Sequence, residues 1–149
     1  MHVDDWVYPG CPHTGPGVAI AADGAVHVAW YTGKPGAAGV LYAKRTATSF
    51  GDPVVLLSAA TLPTAHPRVA PLPDGGALVV WDVSRDGSNQ LEVALVGDGR
   101  VTGHTTLRHT TGADHPEVVT LADGTGIAAW TSRQGSGDST RIRMARITR

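Results

Sequence analysis

The chain is poor in several residue types that mark functional classes. It has a single cysteine, Cys11, so no internal disulfide can form. Lys and Arg number 12 against 13 Asp and Glu, giving a formal charge of −1 at pH 7. That balance lacks the basic excess expected of a nucleic-acid binder or of a protein drawn to an anionic membrane. No apolar run approaches the roughly 20 residues needed to cross a bilayer. The opening residues 1–8 place Asp4 and Asp5 where a secretory leader would carry a basic region and an apolar core, so no export signal is read here. Glutamate is limited to Glu92 and Glu117, and tyrosine to Tyr8, Tyr31 and Tyr42, which leaves few candidates for chemistry that needs them.

What is abundant is turn chemistry. The 149 residues include 19 Gly and 10 Pro beside 42% apolar residues, a mixture that suits many short strands around a real core and argues against disorder. One pattern recurs three times, over residues 16–30, 67–81 and 116–130: Pro, a short apolar run, an Asp-Gly pair, a second apolar run, Trp. The landmarks Asp23, Asp74 and Asp123 keep step with Trp30, Trp81 and Trp130 at intervals of roughly 50 residues, a period typical of stacked β units such as propeller blades. Apolar spacing that is two or continuous, rather than helical, predicts strands over 18–21, 26–30, 40–43 and 54–57, then 69–72, 77–81, 91–95 and 101–107, then 118–121, 127–130 and 142–147. The Asp-Gly pairs predict tight hairpins with positive φ at both central residues.

The expected fold is therefore all-β: a propeller of three four-stranded blades, half of a six-bladed ring. Blade 1 covers 16–65, blade 2 covers 66–114, and an incomplete blade 3 covers 115–149. Residues 1–15 would supply the outer strand of a preceding blade, over 3–8, plus a junction. The third unit lacks its own outer strand. Three blades fall below the roughly four to eight that close a ring. A second copy of the chain, or a missing N-terminal half, is the expected partner, with each N-terminal strand completing the other's third blade.

The stretch Asp5-Trp6-Val7-Tyr8-Pro9-Gly10-Cys11-Pro12-His13-Thr14-Gly15-Pro16, followed by Val26-His27-Val28-Ala29-Trp30-Tyr31-Thr32-Gly33, resembles the C-terminal half of bacterial sialidase-like propeller proteins of the BNR or Asp-box type. The resemblance implies an exported parent protein and, as one function class, an exo-alpha-sialidase or other glycoside hydrolase completed by a second half or chain. The Asp-box itself is worn: Lys44-Arg45-Thr46-Ala47-Thr48-Ser49-Phe50 lacks its Asp and Gly, and Gly97-Asp98-Gly99 is a plain turn. Sialidase chemistry asks for an arginine cluster, a Tyr nucleophile assisted by Glu, and an acid carboxylate. Arg68 and Glu117, each just after a strand-initiating Pro, are the residues placed to face a central channel, where an ion pair is the plainer role.

A binding or scaffold module is the preferred expectation, with a glycan or peptide ligand. Trp6 and Tyr31 are ligand-contact candidates because the other repeats lack equivalents, and the stretches 31–39, 82–90 and 131–140 are expected as loops near that site. His66 and His115 occupy the same repeat position before a Pro, while Cys11 and His13 precede the first junction. Convergence of these four would give a Zn or Cu site. The alternative is structural hydrogen bonding at the strand entrances.

Overall fold

The computed structural model describes residues 5–7, 15–58, 66–133 and 139–148. Every helix or strand among them is a strand, arranged in three antiparallel sheets. The first sheet holds β1 (Gly17–Ile20), β2 (Val26–Thr32), β3 (Gly39–Thr46), β4 (Ser49–Phe50) and β5 (Val54–Ser58). The second runs β6 (Arg68–Pro71), β7 (Ala77–Arg85), β8 (Ser88–Gly97) and β9 (Arg100–Thr106). The third has three strands, β10 (Ala113–Thr120), β11 (Gly126–Arg133) and β12 (Thr140–Ile147).

The same hairpin joins the first two strands of each sheet. In the first, Gly24 N donates to Ala21 O at 2.9 Å, Ala21 N to Ala25 O at 2.8 Å, and the Asp23 carboxylate accepts from Ala25 N at 2.9 Å. Asp74 and Asp123 repeat that contact on Gly76 N and Thr125 N. Only the glycines, Gly24, Gly75 and Gly124, take positive φ, so these are three-residue loops that end in a left-handed glycine. The two-residue turn expected there occurs instead at Asp86-Gly87 and Asp98-Gly99, where both residues have positive φ. As a result β7 and β8 run on to Arg85 and from Ser88. The expected 82–90 loop is a hairpin extension, and Asp82 lies inside a strand.

The sheets pack in series. One core joins the first and second sheets through Ala29, Val40, Tyr42, Leu56, Val69, Val79 and Trp81. Another joins the second and third through Ala70, Leu78, Val80, Leu91, Val118 and Trp130. The middle sheet is covered on both sides, which explains why β7 is buried along the unbroken apolar run Ala-Leu-Val-Val-Trp while β2 and β11 alternate in burial. Burial in β2 favours the Ala29 side, whereas in β11 it favours the Trp130 side. The second and third sheets thus turn their Trp-bearing faces toward the sheet before them.

Close backbone approach fixes the inner strands. A Cβ at Gly17 would sit 2.6 Å from the Pro67 carbonyl oxygen, so β1 can lie against the start of β6 only as glycine. Residues 5–7 form no strand; Trp6 lies edge-on to the Tyr31 ring at 5.7 Å in its own chain. The remainder of the expected 3–8 outer strand falls outside the described residues.

Candidate metal centre at the sheet junctions

Residues just before Pro67 and Pro116, both fully buried, enter the inner strands β6 and β10. Between these entrances stands Asp82, the residue after Trp81 in β7, with no exposed surface. Its Oδ1 accepts from the His66 backbone N at 2.6 Å and from His66 Nδ1 at 3.0 Å. Oδ2 accepts from His66 Nδ1 at 2.8 Å and from the His115 backbone N at 3.3 Å. One carboxylate therefore ties two successive junctions together.

Asp114 completes the cluster. Its Oδ1 lies 3.0 Å from His115 Nδ1 and 3.7 Å from His66 Nδ1, while the two imidazoles stack with centroids 4.0 Å apart. The backbone is bent to allow this. A bulge interrupts the β10–β11 register between Asp114 and Glu117, and His115 within it has φ 51°. Left-handed φ before a proline is sterically disfavoured, so surrounding contacts must hold it. Bulges commonly re-aim a side chain in this way.

The electrostatics follow from crowding. The hydrogen bond to Asp82 raises the His66 pKa against the opposing effect of burial. Burial pushes Asp82 up, but hydrogen bonds from His66, from Asp114 and from the His66 backbone outweigh it, and the net shift is downward. Asp114 is raised, first by burial and then by its hydrogen bond with Asp82. With Nδ1 directed at a carboxylate, His66 keeps Nε2 buried and without a hydrogen-bond partner in the described structure. A carboxylate behind one imidazole nitrogen is the arrangement that orients histidine ligands in metal sites. His66, Asp114 and His115 offer ligand atoms that all lie within 4.8 Å of one another.

These shifts fix a pH dependence. His66, raised, contributes stability that is complete below its unfolded value near 6.5 and is lost as pH climbs through the folded pKa. Asp114, also raised, favours folding at low pH in the same sense. Asp82, lowered, contributes above about 4 and loses that contribution as pH falls through its folded pKa. Burial lowers the His27 pKa, which works in the opposite sense over the same range, so the His66 share is read by difference. Without metal, the loss of unfolding free energy in urea on His66→Gln should be larger at pH 5.5 than at pH 8; a loss independent of pH would contradict the assignment.

The other candidates fall elsewhere. Arg68 Nε donates to Glu117 Oε1 at 2.8 Å across the starts of β6 and β10, with the glutamate side chain largely exposed. Trp6 and Tyr31 meet each other, and the Trp6 ring lies against Gly33. Cys11 and His13 are outside the described residues. The inner strands β1, β6 and β10 border a groove of about 360 Å³ lined by residues such as Ile20, Val69 and Val119, with no titratable group among them. A larger cleft of about 690 Å³ lies at the Asp-Gly turn end, where Lys44 Nζ is already bonded to the Gly75 carbonyl at 2.7 Å. Glu92 is buried in β8, held by Arg85 Nε at 3.1 Å and His104 Nε2 at 3.1 Å.

Sequence reasoning found the two histidines and missed both aspartates. Asp82 was signalled by a lone charge inside an apolar run, at the position occupied by Tyr31 and Thr131 in the other repeats. Asp114 adjoins His115 and carried no further sign. In comparison with known proteins, no family model matches the chain and none of the curated proteins is significantly similar to it.

Proposed function

We propose that the chain is a sialidase-like β-propeller module, its three sheets standing as blades, that serves as a binding scaffold and holds a divalent transition-metal ion at His66, Asp114 and His115. The observation that carries this reading is the Asp82-centred cluster: two carboxyls and two imidazoles in mutual contact, in which His66 turns Nδ1 to Asp82 and keeps a buried Nε2 with no hydrogen-bond partner among the described residues. Two carboxyls this close favour a bound proton or cation between them, and the upward shift of Asp114 has that sense. The donor set of imidazole nitrogen and carboxylate oxygen suits Zn(II) better than Cu(I), which prefers thiolate. Asp82 would act behind His66 as the orienting group.

Equilibrium dialysis against zinc should leave one ion per chain. Asp114→Asn and His115→Ala should each weaken binding by more than the roughly 10- to 100-fold typical when only a group supporting a ligand is lost. Affinity should rise with pH, because protons on Asp114 and His66 must leave before the metal enters. Absence of retained zinc, or variants that bind like the native chain, would remove the proposal.

The glycosidase alternative finds less support. Glu117 is engaged by Arg68, while Tyr31 packs against Trp6 and Tyr42 bonds to His27 Nδ1 at 2.7 Å, so neither tyrosine stands as nucleophile beside a glutamate.

A further inference from the structure

Among the described residues, the first and third sheets each leave one face uncovered by another sheet, and the two faces are opposite in kind. On the first sheet the Trp-bearing face exposes Val18, Ile20 and Val55, in register with Val28, Trp30 and Leu41. Ile20 is 70% exposed. On the third sheet the reverse face exposes Val119, Ile142 and Met144 beside Ile127 and Ala129, with Met144 at 73%. In the middle sheet the equivalents of both sets are covered: Val69, Val79 and Trp81 by the sheet before, Ala70, Leu78 and Val80 by the sheet after. The molecule therefore makes the same front-to-back packing twice, and carries one spare front and one spare back.

We infer that these faces are docking surfaces for a second copy of this chain, the Trp30 face of each protomer seating on the Met144 face of the other. The occupant is specified by the two internal interfaces, which supply a template for what the Trp-bearing face accepts: the reverse face of an equivalent sheet. A second copy carries that surface at equivalent repeat positions. Front-to-back contacts are heterologous, and they close only if the rotation returns to the start. Two copies place six sheets in series, within the range of roughly four to eight that close around an axis. Both open faces are then buried in two identical interfaces. Exposed apolar surface of this kind on an isolated chain otherwise marks an association or aggregation site. The cation at His66 plays no part in this pairing, so either can fail without the other.

Sedimentation or light scattering of the full chain at micromolar concentration should give twice the 15.4 kDa chain mass. Ile20→Glu and Met144→Lys change solvent-facing positions in the single chain, so both variants should retain the native β circular dichroism. Each should raise the dimer dissociation constant by on the order of 100-fold, since a charge would enter an apolar contact. An equimolar mixture of the two should recover a 1:1 dimer, because the altered faces meet each other and the remaining interface is native. A monomeric native chain, an open series of larger oligomers, or dimerisation that survives either single change would overturn the inference. Failure of the mixture to re-form a dimer would also contradict it, because same-face pairing predicts that result.

Discussion

Asp82→Ala is expected to cost about 3–5 kcal/mol of unfolding free energy, the loss typical when one partner of a buried ionic pair is removed. The size follows from what the carboxylate holds. It accepts from two backbone amides and one imidazole, and all three donors would be left without it: His66 N at 2.6 Å, His66 Nδ1 at 2.8 Å and His115 N at 3.3 Å. His115, with φ 51°, would lose a contact that keeps a disfavoured backbone in place. For a chain of this size the melting temperature should fall by roughly 6–20 °C. Asp82→Asn retains an acceptor oxygen and should lose less. A melting temperature within a degree or two of the native value for Asp82→Ala would show that the junctions are held by something else.

Trp81→Ala should be of comparable size, about 3–5 kcal/mol by urea unfolding, because its side chain is wholly buried between the first two sheets and stacks on His104 at 5.5 Å. Its repeat counterpart Trp30 is only partly buried, on the side of the first sheet turned away from the second. Below the concentration at which copies pair, Trp30→Ala should cost less. Equal losses at the two positions would mean that the first sheet is covered as fully as the second, against the serial packing described above. The Trp81 and Trp130 indole nitrogens are buried and find no hydrogen-bond partner among the described residues. Packing rather than hydrogen bonding explains why tryptophan recurs at these positions.

The strands were legible because their signals are local. Apolar spacing of two marked β2, unbroken apolar runs marked β7 and β11, and Asp-Gly pairs punctuated the hairpins. Turn geometry was harder to read, since an Asp-Gly pair serves both a three-residue loop at Asp23-Gly24 and a two-residue turn at Asp86-Gly87. That ambiguity hid Asp82, because a loop was expected where β7 continues. The site was only half visible for a related reason. His66 and His115 share a repeat position, but their stacking depends on a bulge at Asp114 and on how the second and third sheets meet. Both are properties of tertiary packing and leave little trace in the order of residues.

The cation site is tested most directly by diffraction from crystals grown with zinc, with data collected on both sides of the zinc absorption edge. The structure predicts one anomalous peak per chain, bounded by His66, Asp114 and His115, with Asp82 hydrogen-bonded behind His66. Zinc found only at other surface positions, with these four side chains unchanged and no peak between them, would contradict the assignment.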